Sequence, residues 1–285
     1  MEFEKVAILG GGLLGGSLAL ALARHFPETP VSLWARRAET VATAKERGIA
    51  GATLDMAEAV EGADLIVLST PVGAMATVLL AAQTAGLSRD ALVTDVGSVK
   101  AAPHRVLRPL LERTGGKFIG SHPMAGSEQT GIGAADEALF EGAACLLTDD
   151  EQVGEPLAGK LQRFWESLGC RVSWLDAARH DALVARISHF PHLIAAAAAK
   201  VALEDPTDGL FGGGGLRDTT RVAGGDPAMW AEIAMENREA LHGVLSHGIR
   251  EMSEMLAMLE TGDHEALRHW LEDAKRARDA SLRRD

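Results

Sequence analysis

A few polar side chains stand out by type and setting. His122 lies in the stretch Gly120-Ser121-His122-Pro123-Met124-Ala125-Gly126-Ser127-Glu128, just after the apolar run Lys117-Phe118-Ile119. That run reads as a strand end, and Pro123 with the flanking glycines excludes helix. His122 is therefore expected in an irregular loop, among small residues that let a ligand come close. A neutral imidazole in such a place can take up a proton or a hydrogen bond near pH 7. A hydrogen-bonded turn histidine is the plainer alternative. Further on, Gly212-Gly213-Gly214-Gly215 weakens any helix or strand and permits close backbone approach. It leads straight into Arg217 and Arg221, whose guanidinium forks suit carboxylates. Between these segments, Pro191 should kink a long helix at Ser188-His189-Phe190-Pro191-His192, a position from which a histidine can be aimed at a pocket. The alternative is polar residues on a helix face.

Elements that would position these groups follow from the chain order. Val6–Leu9 is a short β run leading into Gly10-Gly11-Gly12-Leu13-Leu14-Gly15 and an Ala/Leu-rich helix over Ser17–Phe26. A G-x-G-x-x-G between strand and helix is a dinucleotide signature. Gly10 permits the turn, Gly12 lets the backbone approach a pyrophosphate, and Gly15 lets helix and strand pack closely. Leu13 and Leu14 are candidate cofactor contacts ahead of the helix, whose free N–H groups favour phosphate. The second strand, Val31–Trp34, ends in Ala35-Arg36-Arg37. An acid about 20 positions past the glycines would hold the ribose 2′-hydroxyl of NAD. Ala35 stands there instead, and two arginines suit the 2′-phosphate of NADP. Alternatively, Arg36 and Arg37 are a solvated cap on the next helix.

The alternation continues with a helix at Ala38–Arg47, strand Asp64–Ser69, a helix opened by Thr70-Pro71 and running to about Ala82, strand Ala91–Asp95, and a helix from Lys100 towards Leu111. This pattern predicts a parallel, doubly wound α/β sheet of Rossmann type. Ligands then sit beyond the carboxyl ends of the strands, where Thr70, Pro71 and Ser98 fall. Ser98 is a candidate contact to cofactor or substrate, or an N-cap for the following helix. Ala143–Leu147 and Arg171–Trp174 read as closing strands, with a helix from about Glu155 to Leu168 between them. Past Asp176 the pattern is helical: Ala177–Leu203, a loop at Asp205–Gly215, one long helix Pro227–Leu259 with Asp226 as its cap, and Asp263–Leu282. The expected domains are 1–175, binding a dinucleotide, and 176–285, an all-helical substrate and dimerisation domain. Its long apolar faces call for a second copy.

Composition narrows the partners. A net charge of −12 over 285 residues argues against nucleic acid or an anionic membrane surface. Cys145 and Cys170 lack metal-type spacing, so no metal is expected, and they fit buried thiols in a cytoplasmic protein. The first residues offer no signal peptide, and the apolar runs look too broken to span a bilayer.

Together, the glycine motif, Asp95-Val96-Gly97-Ser98-Val99-Lys100, the Gly120–Gly126 segment, His180-Asp181, Ser188–His192, the glycine-rich loop to Arg221 and Asp226-Pro227-Ala228-Met229-Trp230 resemble the prephenate/arogenate dehydrogenases of tyrosine biosynthesis. The resemblance runs over nearly the whole chain. It implies an NAD(P)-dependent oxidative decarboxylation of a cyclohexadienyl substrate carrying carboxylates, by a homodimer, with no regulatory segment after Asp285. It also implies roles. His122 accepts the hydrogen bond of the substrate 4-hydroxyl, Ser98 helps hold that hydroxyl and the nicotinamide end, and His189 lines the pocket. Arg221 binds a substrate carboxylate, Arg217 the side-chain carboxylate, and Trp230 is an aromatic that the neighbouring subunit can contribute. The rival enzyme is a β-hydroxyacid dehydrogenase or imine reductase of the same two-domain plan. Its lysine, early in the interdomain helix with an asparagine four positions on, is missing; Lys200 comes late. A non-enzymatic rival is an NADP-sensing module.

Overall fold

The computed structural model describes residues 2–127 and 129–282; Glu128, the last residue of the His122 stretch, lies outside them. Strand β1 (Val6–Leu9) is fully buried on both faces, and its alternate side chains enter two different cores. Val6 and Ile8 pack with Leu18 and Leu22 of helix α1 (Leu13–His25). Ala7 and Leu9 face the opposite side with Ile66, Leu68, Met75 and Leu79. A strand covered on both faces needs the near-continuous apolar run seen here.

Around β1 the chain adds β2 (Val31–Trp34), α2 (Ala38–Glu46), β3 (Ala52–Thr53), α3 (Met56–Val60), β4 (Leu65–Leu68), α4 (Val72–Thr84), β5 (Leu92–Asp95), α5 (Ala101–Glu112) and β6 (Lys117–Phe118). Six strands pair in parallel in the order β3-β2-β1-β4-β5-β6, the expected doubly wound arrangement. The two-residue β3 and the five-residue α3 are too short to leave a periodic signal, and neither is anticipated from the sequence. Helix α1 starts at Leu13 rather than Ser17, because Gly12 already serves as its N-cap residue.

His122 is not in a loop. It lies in β7 (Gly120–Pro123), which pairs antiparallel with β8 (Ala144–Thr148) at His122↔Leu146 and Pro123↔Cys145. Pro123 is tolerated because it ends the strand; the next amide, Met124 N, donates to Ala144 O at 2.7 Å. β8 in turn pairs in parallel with β9 (Arg171–Leu175), across α6 (Leu157–Ser167). The strands expected to close the main sheet therefore form a separate three-stranded sheet, β7-β8-β9.

Beyond β9 the described residues are helical. α7 (Ala177–Val184) runs through a π-helical turn, Ala185–His189, into α8 (Phe190–Ala202). Pro191 thus sits at the start of α8, and the wide turn before it absorbs the missing backbone bond. The continuous Ala177–Ala202 helix is long and apolar enough to cross a bilayer by length and composition, with mean hydropathy 1.3, contrary to the expectation from the broken apolar runs. It nonetheless carries His180, Asp181, His189 and His192, all buried in the fold.

The expected loop at Asp205–Gly215 is largely ordered. A 3₁₀ helix, Pro206–Phe211, is started by Asp205, whose carboxylate accepts from Thr207 N at 2.8 Å, and α9 (Gly214–Thr220) follows. Of its four consecutive glycines, Gly214 and Gly215 fall in the first turn of this seven-residue helix and Gly213 is its N-cap residue. The single helix expected over Pro227–Leu259 is two, α10 (Pro227–Glu236) and α11 (Arg238–Thr261), broken at Asn237. α12 (His264–Leu282) closes the described chain. Compactness divides the molecule into Met1–Arg238, which holds both sheets and all residues discussed below, and Glu239–Asp285.

Candidate active site

The carboxyl end of β1 shows what the three motif glycines do. Gly10 has φ +134°, and a Cβ there would stand 2.2 Å from Ser69 O. A Cβ on Gly15 would stand 2.0 Å from Gly10 O. The fold itself requires both. At Gly12 an added Cβ would meet nothing within 4 Å, so the missing side chain there keeps room for something outside the chain. The N-terminus of α1, at Leu13 and Leu14, has no side-chain cap and no acid in its first turn, which leaves its N–H groups to an anion.

Next to it, at the end of β4, Thr70 Oγ1 is buried without a hydrogen-bond partner among the described residues, and Pro71 is the N-cap residue of α4. An orphaned buried hydroxyl calls for a ligand or water. At the end of β2, Ala35 is buried where a ribose-binding acid would stand, whereas Arg36 and Arg37 are exposed. Arg37 holds the N-cap position of α2 but makes no capping bond with its side chain. These residues fit a bound dinucleotide.

His122 is held on both sides along its strand. Ser121 N donates to Asp95 Oδ1 at 3.2 Å, and Ser121 Oγ meets Thr94 Oγ1 at 2.7 Å and accepts from Trp165 Nε1 at 3.0 Å. Asp95 also forms a fully buried ion pair with Lys100 and accepts from Gly97 N at 2.8 Å, which folds the Val96–Lys100 turn over the end of β5. The His122 ring then meets a second histidine, Nδ1 to His180 Nε2 at 2.9 Å. His180 Nδ1 in turn lies 2.8 Å from Asp181 Oδ1. Asp181 receives Lys100 N at 2.7 Å and Ala101 N at 3.0 Å, so its carboxylate caps α5. The N-cap role weighed for Ser98 is therefore filled by Asp181. The half-buried Ser98 makes no side-chain hydrogen bond among the described residues and remains available to a ligand.

Burial, reinforced by the neighbouring His180, Lys100 and His189, holds His122 well below the ordinary histidine range, so the ring is neutral. Burial also lowers His180, against the opposing pull of Asp181. For Asp181 burial acts upward, but hydrogen bonds from His180 and the Lys100 and Ala101 amides outweigh it and keep the carboxyl ionised.

His189, placed by the π turn, is 1% exposed. Its Nδ1 lies 3.1 Å from Asn237 Nδ2, which also donates to Asp181 O at 2.9 Å. Its Nε2 has no partner among the described residues. Burial, opposed by Asp181, pulls its pKa down to about 4. Trp230 stacks on His192, with ring centroids 3.5 Å apart and planes at 10°, and sets its edge against His189 at 6.2 Å. His192 Nδ1 is likewise buried and unpartnered among the described residues.

His122, Ser98, His189 and Trp230 therefore gather around one network, to which the structure adds Asp181, His180, His192 and Asn237. Only the histidines among these additions, and the His180-Asp181 pair, were visible as motif members in the sequence. Arg217 on α9 and Arg221 in the turn after it are exposed.

A doubly wound sheet with an open glycine cradle, beside a buried neutral imidazole, defines a nicotinamide-dinucleotide oxidoreductase. Residues 18–174 match the family model for the prephenate dehydrogenase nucleotide-binding domain, and residues 176–273 that for the prephenate dehydrogenase dimerization domain. The chain is 32% identical over 281 residues to a prephenate dehydrogenase of Lactococcus lactis subsp. cremoris, covering 97% of this chain and 77% of that protein. Among solved structures it is similar to prephenate dehydrogenase from Aquifex aeolicus in complex with hydroxyphenyl propionate and NAD+, at 29% identity, TM-score 0.88, covering 97% of this chain and 98% of that one. It is also similar to Synechocystis arogenate dehydrogenase, at 31% identity, TM-score 0.78, covering 98% and 100%. The chain belongs to the prephenate dehydrogenase family and is an NAD(P)-dependent oxidoreductase.

Proposed function

We propose that this chain oxidatively decarboxylates prephenate, arogenate or both, the reaction of its family in tyrosine biosynthesis, with His122 as the group that meets the reacting hydroxyl. The dinucleotide, when bound, supplies the hydride acceptor. As the hydrogen on C4 of the ring leaves with its electron pair, positive charge develops at the carbinol carbon. A neutral imidazole that accepts a hydrogen bond from the 4-hydroxyl spreads that charge, with typical gains of about 10²–10⁴-fold. The bond from the ring to its carboxylate then breaks, CO2 departs, and the electron pair left behind completes the aromatic ring. The observation that carries this reading is the buried chain Asp181–His180–His122, which ends in a neutral ring.

Other residues take supporting roles. Ser98 helps hold the hydroxyl and the nicotinamide end, and His189 and Trp230 line the ring pocket. Arg221 binds a substrate carboxylate and Arg217 the side-chain carboxylate. Gly12, Leu13 and Leu14 hold the pyrophosphate, Gly10 and Gly15 shape the cradle around it, and Thr70 and Pro71 lie towards the nicotinamide. The Aquifex relative binds NAD+. We propose that this chain prefers NADP, because Ala35 replaces the ribose-binding acid and Arg36 and Arg37 stand exposed beside it.

We retain the division into a dinucleotide-binding part, 1–175, and a helical substrate and dimerisation part, 176–285. Leu210 and Phe211 are 85% and 88% exposed beside the glycine-rich loop, which supports a homodimer covering them. The buried free thiols Cys145 and Cys170 support a cytoplasmic setting.

Steady-state assays crossing prephenate and arogenate with NAD+ and NADP+ test the reading. Reduced nicotinamide should appear with at least one substrate, faster with NADP+. Dinucleotide binding without turnover of either substrate would favour the sensing module instead.

A further inference from the structure

We propose that Asp181 is a positioning residue that sets the two imidazoles of the site to opposite hydrogen-bonding polarity, His122 presenting a lone pair at Nε2 and His189 an N–H at Nε2. The inference rests on the reading that these two rings meet the substrate, and deepens it.

The first arm runs through the Asp181 side chain. Two backbone amides, Lys100 N at 2.7 Å and Ala101 N at 3.0 Å, already donate to this carboxylate. An ionised carboxylate only accepts. The 2.8 Å contact with His180 Nδ1 therefore requires the proton on that nitrogen. A neutral imidazole has one N–H, so His180 Nε2 carries the lone pair. The 2.9 Å contact from His180 Nε2 to His122 Nδ1 then requires the proton on His122 Nδ1. His122 Nε2 is left as an acceptor.

The second arm runs through the Asp181 main chain. Its carbonyl oxygen is an acceptor, and it lies 2.9 Å from the side-chain nitrogen of Asn237, which fixes which end of that amide faces it. The same nitrogen has a second hydrogen, and His189 Nδ1 lies 3.1 Å away. A donor pointing at Nδ1 places the lone pair there and the His189 proton on Nε2. That atom is buried and has no partner among the described residues. The Ser98 main chain also acts on this ring, in the direction that favours a proton on it.

One residue thus sends a proton order down two branches, and the outcomes are complementary to one class of molecule. A ring alcohol that also carries carboxylates offers a hydroxyl hydrogen for His122 Nε2 and an anionic oxygen for His189 Nε2–H. With either ring in its other tautomer, two donors or two acceptors would face each other. In the serine proteases a carboxylate acts on a single imidazole in this way. Here the order passes through one histidine to reach the next.

Nitrogen-15 NMR of the histidine-labelled full-length protein reads the tautomers directly, with His122→Asn and His189→Gln spectra assigning the two rings. The wild type should show His122 protonated at Nδ1 and bare at Nε2, and His189 the reverse. Asp181→Ala removes the side-chain arm and keeps the carbonyl. It should leave His122 a mixture of both tautomers, leave His189 unchanged, and lower kcat for prephenate about tenfold or more while dinucleotide binding holds. Asn237→Ala should do the opposite, releasing His189 and raising KM more than it lowers kcat. A proton on His122 Nε2 in the wild type overturns the proposal whatever the variants do. So does an Asp181→Ala protein whose His122 tautomer is unchanged though its kcat has dropped, since Asp181 would then act on structure alone. Full activity of His122→Asn would defeat the catalytic reading instead, and leaves the tautomer measurement standing.

Discussion

His122 Nδ1 stands 2.9 Å from His180 Nε2, although the two residues are 58 positions apart and belong to β7 and α7. The contact joins the sheet edge beyond the cofactor cradle to the first helix of the helical segment. It turns an isolated ring into the end of a buried relay.

Stability should depend on pH through the buried histidines. Burial pulls His189 down to about 4 from the ordinary 6.5 of a histidine in the unfolded chain. Between those values the unfolded chain takes up a proton that the folded one refuses. The stabilisation is therefore complete above about pH 6.5 and is lost as pH falls to 4, on the order of 3 kcal/mol for this group. His122 and His180, also lowered, act in the same direction. Urea midpoints measured from pH 7.5 down to 4.5 should decline, and His189→Gln should flatten part of the slope. A flat wild-type profile would mean that the rings are already charged in the fold.

Two cradle glycines should separate folding from binding. Gly12→Ala adds a methyl where nothing lies within 4 Å, so thermal stability should be near wild type while dinucleotide affinity falls. Gly15→Ala drives a methyl to 2.0 Å from Gly10 O and should destabilise the protein itself, by about 1–3 kcal/mol for an overpacked site. Thermal melts alongside dinucleotide titrations check both. Equal melting losses in the two variants would remove the case that Gly12 serves a ligand.

The arginines after β2 should discriminate between cofactors. Arg36→Ala with Arg37→Ala should weaken NADP+ at least about tenfold, since one hydrogen bond to a charged group is worth about 1.5–3 kcal/mol. NAD+ affinity should barely move. Parallel losses for both dinucleotides would place these side chains away from the 2′-position.

Arg221→Ala should raise KM for the carboxylate substrate and change kcat little. Steady-state kinetics at saturating cofactor show it. A flat KM with weaker dinucleotide binding would assign Arg221 to the other ligand.

Much of the frame was legible because it is local. Gly10 to Gly15, with β1 before and α1 after, lies within a single turn of chain, and the buried strands spell out their own burial. The rest depends on distant pairing. His122 reads as loop from its proline and glycines. It becomes strand because Leu146, 24 positions on, offers β8 as a partner, and no local signal encodes that. Asn237 looks like one more polar position on an amphipathic helix, and only the fold shows its side chain reaching Asp181 O and His189 Nδ1. His180-Asp181 was visible as a motif. Its role was not, because the amides that Asp181 caps lie about 80 positions earlier in the chain.

The most direct measurement is single-turnover hydride transfer by His122→Asn, with prephenate or arogenate at saturating dinucleotide. If the imidazole meets the reacting hydroxyl, the rate falls about 10²–10⁴-fold and dinucleotide affinity is untouched. A rate equal to wild type would show that the ring at the end of the relay takes no part in the chemistry.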